Sequence, residues 1–360
     1  SLAAWLTGQV GTPVAVTTLE RPEGNGMSSD TVLFDAEWSP DAGLEAGERG
    51  GSFVARLEPS ADAFPVFPHY DLLAQVRAMR LVQERTDVPV PAVRWVEEGR
   101  DALGALFFVM DRVEGRVPPD VMPYPMGSWL SEAGEEDRAA LVEATASVLA
   151  GIHALQATPD ELAFLDPGAT GATGSSPLAR HVDAERRYYA WVSEGRSLPL
   201  IERGFAWLDE HWPEAAAARP PTLCWGDARI GNIIYQGFRP AAVLDWEMAT
   251  LGPPELDLGW TIFMHRFFQD LCEEMGLTGM PGFLDRDDVV EAYVRAGGRE
   301  PVDLDWFITY AALRHGTIMV RVMGRQVFFG EREAPVDREE FILHRRSVER
   351  MLAGAYWPEA

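Results

Sequence analysis

Lysine is absent from the 360 residues, so all 31 basic side chains are arginine. That excludes a Walker-A lysine, a Schiff-base lysine and a pyridoxal phosphate site; any phosphate must be held by arginine, backbone amides or a metal. Cysteine is almost absent. Cys224 and Cys272 alone can build neither a disulfide framework nor a Cys-rich zinc site, and a cytoplasmic location is expected. No apolar run approaches the roughly 18 residues of a membrane span. The opening "SLAAWLTGQVGTPV" lacks the basic segment of a secretory signal, so neither export nor a membrane partner is expected. Positive charge is scarce against 56 Asp and Glu, giving a net charge of −25. Nucleic acid is not an expected partner, because a phosphate backbone demands a basic surface.

What is present is an ordinary globular composition, 47% hydrophobic and 24% charged, in a chain of about two domains' length. Short β-branched and aromatic runs at 13–20, 31–38 and 52–59 read as strands. A helix is expected over 69–85, where Leu72, Val76, Met79 and Val82 share a face. Strands follow in "VPVPAVRWVEE" and "ALFFVMDRV". After "VEGRVPPDVMPYP" the character changes, with helices expected at 135–157, 178–193, 198–212, 256–275, 286–297, 304–328 and 337–354. The segment 166–177, rich in Gly, Thr and Ser, reads as a mobile loop. The expectation is therefore an α+β protein with a small antiparallel-sheet lobe at 1–113 and a helical lobe at 114–360.

One hairpin interrupts the helices, within "CWGDARIGNIIYQGFRPAAVLDWE" (224–247). With its turn centred between Phe238 and Arg239, Asn232 and Asp245 face each other with Cα atoms roughly 5 Å apart. An amide oxygen and a carboxylate so placed can share a hard cation such as Mg²⁺. Asp227 precedes Asn232 by D-x-x-x-x-N, the spacing of a kinase catalytic loop, in which the Asp receives the substrate hydroxyl proton and the Asn binds metal. Turn chemistry alone also favours Asn and Asp at hairpin ends. The spacing followed by a short hairpin ending in Asp-x-Glu is far more specific than either half.

The segment resembles the aminoglycoside phosphotransferase and choline kinase-like family, marked by His-Gly-Asp-x4-Asn followed by Asp-x-Asp or Asp-x-Glu. "FVARLEP", "VPVPAV" and "FFVMDRVEGRVPPD" are similar to the branch found alone in bacteria or joined to acyl-CoA dehydrogenase-like domains. The resemblance spans nearly the whole chain. It implies a protein-kinase-like two-lobe fold, ATP and Mg²⁺ as cofactors, and a hydroxyl of a small molecule as acceptor. It also implies Asp227 as catalytic base, with Arg229 near the γ-phosphate. Asn232 and Asp245 become metal ligands, joined by Glu247 as a candidate. For the nucleotide it implies a covering loop at Gly24, Gly26 and Ser28, Arg56 as phosphate ligand, and a hinge at Met110 and Arg112. Gln75 stands where the family has a helix Glu.

Trp225 replaces the family's His, which removes a group expected to hold the catalytic loop. His153 reads as a satisfied core histidine and Asp257 as a brace for that loop. Arg314, His315 and Arg321 are candidates for an anionic acceptor, and a hydroxylated metabolite is the expected substrate class. A nucleotide-binding pseudokinase and an aminoglycoside-resistance kinase stay open as alternatives, as does a metal-dependent phosphohydrolase. Nothing in the sequence fixes an oligomeric state.

Overall fold

A computed structural model describes residues 1–21, 30–39, 49–59 and 64–356. It divides into two compact units, residues 1–84 with 90–114, and residues 85–89 with 115–360. No helix among the described residues is long and apolar enough to cross a membrane.

The first unit is an antiparallel five-stranded sheet. In chain order, α1 (Leu2–Val10) leads into β1 (Val14–Glu20), β2 (Asp30–Trp38) and β3 (Gly50–Leu57). Then come α2 (Leu72–Arg85), β4 (Val93–Glu97) and β5 (Phe107–Asp111), with the strands ordered β1-β2-β3-β5-β4. The period-2 alternation expected of half-buried strands is present in β3, where Phe53, Ala55 and Leu57 point into the core. They meet Leu2, Leu6 and Val10 of α1, spaced one helical turn apart, together with Phe34 and Phe107. This N-terminal helix is an element the sequence reading does not anticipate.

The second unit is mostly helical. It comprises α3 (Glu135–His153), α4 (Pro159–Leu162), α5 (Pro177–Ser193), α6 (Pro199–Glu210), α7 (Glu214–Ala217), then α8 (Glu255–Glu274), α9 (Arg286–Arg295), α10 (Leu304–Phe328) and α11 (Arg345–Leu352). Two small ladders lie between α7 and α8. β6 (Thr222–Cys224) pairs with β9 (Thr250–Gly252), and β7 (Ile233–Gln236) pairs with β8 (Arg239–Val243).

Two expectations need correction here. The segment 166–177, expected as loop throughout, contains a helical turn at Pro167–Thr170, whose first amide, Gly168 N–H, donates to Asp166 Oδ1 at 2.8 Å. Arg180 Nε donates to that same oxygen at 2.6 Å and fixes the turn to α5. The helix expected over 337–354 is broken in two, a turn at Arg338–Phe341 and then α11, because Ile342 leaves the helical region between them with φ −85° and ψ 87°.

The approach of α8 to α10 is set by Gly259, where a Cβ would stand 2.7 Å from the Phe307 carbonyl carbon and 2.9 Å from its Cβ. Helix propensity alone favours alanine over glycine by roughly 1 kcal/mol. Overpacking against backbone opposes it by typically 1–3 kcal/mol. Gly259→Ala is therefore expected to lower stability despite the better helix former, read as a reduced urea midpoint; an unchanged or raised midpoint contradicts the close approach.

Candidate functional site

Asp227 lies on the loop between β6 and β7, and four N–H···O contacts converge on its carboxylate. Trp260 Nε1 donates to Oδ1 at 2.7 Å and Asn232 Nδ2 to Oδ2 at 2.7 Å, while Arg229 Nε lies 3.0 Å from both oxygens. The Asn232 amide also donates to the Asp227 backbone carbonyl at 3.1 Å, closing the loop over a helical turn at Ile230–Asn232. With its N–H groups spent on Asp227, Asn232 keeps its amide oxygen as the acceptor end. Arg229 also pairs through its guanidinium with Asp120. Burial works against the Arg229 charge, but the Asp227 and Asp120 carboxylates hold its pKa above the ordinary arginine value. Trp260 and Asp120 are absent from the sequence expectations. Trp260 had a findable signal, since it follows Asp257 by three residues on a helix and so shares its face; Asp120 closes the stretch "FFVMDRVEGRVPPD", but nothing in that stretch points to Arg229, 109 residues away.

The loop backbone hangs from Asp257 in the first turn of α8. This fully buried carboxylate accepts from Trp225 N–H at 2.7 Å and Gly226 N–H at 2.8 Å, and His153 Nε2 lies 3.0 Å away. His153 Nδ1 contacts the Tyr293 hydroxyl at 2.9 Å, so both ring nitrogens are occupied, as expected of a core histidine. Gly226 has φ +91°, and a Cβ there would stand 1.9 Å from the Met248 carbonyl oxygen, so glycine is required. Trp225 needs a different account from the one its sequence suggests. The hydrogen bond is not lost with the missing histidine: the indole Nε1 donates to the Leu244 carbonyl at 2.8 Å, immediately before Asp245.

The hairpin register also differs from expectation. Gln236 pairs with Arg239, so the turn is Gly237–Phe238, with φ +54° and +63° at its two centres. These are the angles of a type I′ turn, which suits the twist of a two-residue hairpin. A bulge between Ile234 and Tyr235 then shifts the ladder by one, and Asn232 O accepts from Leu244 N–H at 2.8 Å. Asn232 thus faces Leu244, and Asp245 is the next residue, in the left-handed region at φ 58°, ψ 66°. Such a conformation is uncommon for a residue other than glycine and gathers at functional sites. Glu247 follows in the short turn Trp246–Met248.

In the first unit, Arg56 sits on β3 opposite Thr31 and Phe108, on the face away from Phe53, Ala55 and Leu57. Met110 on β5 is buried and pairs with Val54; Arg112 N–H donates to Ser52 O at 2.9 Å, and its guanidinium pairs with Glu114 at 3.1 Å. Gln75 is buried on α2. Gly24, Gly26 and Ser28 lie outside the described residues.

The residues proposed for an anionic acceptor are engaged otherwise. Arg314 is buried, donates to Glu185 at 3.0 Å and stacks 4.9 Å above Trp260. Burial, reinforced by His344, pushes the His315 pKa well below its ordinary value, leaving the ring neutral. Arg321 stacks 4.1 Å over Trp191.

Known proteins share this architecture. A Ralstonia eutropha JMP134 protein solved as a candidate aminoglycoside phosphotransferase superposes with a TM-score of 0.65 at 22% identity, covering 99% of this chain and 97% of that one. A thermostable mutant of aminoglycoside phosphotransferase APH(4)-Ia, solved in a ternary complex with AMP-PNP and hygromycin B, gives 0.55 at 15% identity over 99% and 100%. The fold is thus protein-kinase-like, with a small antiparallel-sheet lobe and a larger helical one. A sequence profile of the phosphotransferase enzyme family matches residues 30–306, and the chain belongs to that family. Among curated relatives, the probable acyl-CoA dehydrogenase IBR3 of Arabidopsis thaliana is 26% identical over 316 residues, 84% of this chain. The chain spans 36% of that relative's length.

The two supports of the loop differ in strength, and their removal should rank accordingly. Asp257→Ala leaves two buried backbone N–H groups and His153 Nε2 unpaired, at a cost of about 3 kcal/mol or more. Trp225→Phe keeps the ring but gives up one neutral hydrogen bond, about 1 kcal/mol. Urea unfolding should place Asp257→Ala well below Trp225→Phe; the reverse order would mean that the indole, not the carboxylate, holds the loop.

Proposed function

We propose that the protein is an ATP- and Mg²⁺-dependent phosphotransferase that moves the γ-phosphate to a hydroxyl of a small hydroxylated metabolite. The observation that carries this reading is the oriented carboxylate of Asp227. Three N–H groups, from Trp260, Asn232 and Arg229, fix its orientation, with Arg229 Nε shared between both oxygens at 3.0 Å. An approaching hydroxyl of the acceptor takes over one arm of that shared contact, gives its proton to the carboxylate and has its oxygen oriented for in-line attack. Most of the acceleration then comes from positioning and electrostatics.

The donor set suits the cation. An amide oxygen on Asn232 and carboxylates on Asp245 and Glu247 are hard oxygen ligands, as Mg²⁺ prefers. Bound there with the nucleotide, Mg²⁺ would neutralise charge on the phosphate oxygens. Arg229 holds a fixed positive charge beside the base, and Arg56 supplies a second guanidinium fork where lysine is common in kinases. A hydroxylated metabolite is favoured over a polycationic sugar because Met264, Phe268 and Leu284 line the space beside Arg229. The bond from Trp225 to Leu244 supports catalysis over a pseudokinase role, since the support expected to be missing has a substitute.

Asp227→Asn keeps the shape of the side chain and removes its basicity. ADP release from Mg-ATP in the presence of a pool of small hydroxylated metabolites should fall by about 10²-fold or more; an unchanged rate removes Asp227 from the chemistry. In titration calorimetry, ATP should bind more tightly with Mg²⁺ than with a chelator, and Asp245→Ala should abolish that difference. A metal dependence that survives the substitution would put the ions elsewhere.

A further inference from the structure

Beside Arg229 lies a cavity of about 10 Å³, space for one water-sized group. Met264, Phe268 and Leu284 give it apolar walls, and its polar side chains are those of Asp120, Tyr124, Arg229, Thr261 and His265. One oxygen of Asp120 pairs with Arg229, while the other, Oδ1, is buried and has no hydrogen-bond partner within the protein, although the side chain as a whole is 36% exposed. The Tyr124 hydroxyl lies 2.7 Å from His265 Nδ1, and His265 Nε2 faces the Met280 carbonyl at 3.3 Å. A carbonyl only accepts, so Nε2 carries the ring proton and Nδ1 takes the proton of Tyr124. Burial, with Arg266 adding to it, pushes the His265 pKa down to about 3, consistent with that neutral ring. What Tyr124 has left to offer is oxygen lone pairs. Of the other lining donors, the Thr261 hydroxyl donates to the Ala228 carbonyl at 2.5 Å, and Arg229 spends Nε on Asp227 and Nη1 on Asp120.

A carboxylate oxygen left without a donor beside such a space selects a group that brings its own hydrogen. We propose that this cavity is a subsite for the phosphate acceptor, in which Asp120 Oδ1 accepts a hydrogen bond from a second hydroxyl of the substrate. This rests on the kinase reading and narrows its substrate class to diols and polyols with an apolar flank. A monoalcohol leaves Asp120 without a donor. A substrate carboxylate brings no hydrogen to Asp120 Oδ1 and meets its like charge, so it is disfavoured. Asp120 is thus a specificity-determining residue held in place by the same guanidinium that lies against the base.

Propylene glycol, propanol and propionate share one three-carbon skeleton and separate these cases. Their binding to the full chain is measured by ligand-observed NMR, with and without Mg-ADP, and phosphate transfer from Mg-ATP to each is measured separately. The expected result is a preference of about tenfold for propylene glycol over propanol, with propionate weakest. Asp120→Asn keeps an oxygen for Arg229 but presents an amide donor to the cavity, so it should erase that preference. Tyr124→Phe, which removes the second acceptor, should reduce it, and thermal unfolding confirms that each variant is folded. Equal binding of both alcohols, as for a cavity that holds only a structural water, overturns the proposal. So does a preference that survives Asp120→Asn in the folded protein. The preference without phosphate transfer to any alcohol keeps the subsite and removes the kinase reading; transfer to both alcohols without preference does the opposite.

Discussion

A single buried carboxylate organises the helical unit. Asp257 is completely removed from solvent, and such a charge is tolerable only if nearly every lone pair finds a donor. The donors come from separate parts of the chain: the amides of Trp225 and Gly226 on the loop after β6, and His153 at the end of α3. The position in the first turn of α8 helps, since the amide end of a helix favours negative charge. Three residues further along the same helix, Trp260 reaches the carboxylate of Asp227. One helix therefore fixes both the backbone of the loop and the orientation of the side chain it presents. Behind Trp260, the Glu185–Arg314 pair packs against the indole face and limits its freedom to turn.

The same logic explains how histidine could be given up at position 225. A loop held at two amides by Asp257 still needs a tie to the segment carrying Asp245. The indole N–H supplies that tie as a donor, which is all that a carbonyl partner requires. The bulk of tryptophan is accommodated in a buried site, where its ring lies 6.1 Å from that of Trp246.

Local pattern carried much of this into the sequence. The strands of the sheet are legible from alternation, and α5, α6, α8, α9 and α10 from periodicity, because each buries one face against a neighbour. D-x4-N is legible because a tight loop fixes its spacing in the chain. Register was not: the turn closes at Gly237–Phe238 rather than one residue later, and the bulge at Ile234/Tyr235 adds its own offset. No periodicity announces a bulge. Arg314 looked like a ligand for an anion because a sequence does not reveal that Glu185, 129 residues away, already pairs with it. The pairing of Asp120 was invisible for the same reason, its partner Arg229 being distant in the chain. The three-residue strand β9 is too short to carry an alternation signal.

The setting of Arg229 has a consequence for the conditions under which such a site can work. A lysine at this position would begin to surrender its proton near pH 10. Pinched between Asp120 and Asp227, the guanidinium is held charged beyond even the ordinary arginine range. Its positive charge is therefore not something that pH adjusts: the guanidinium beside Asp227 is a permanent feature of the site in any ordinary buffer.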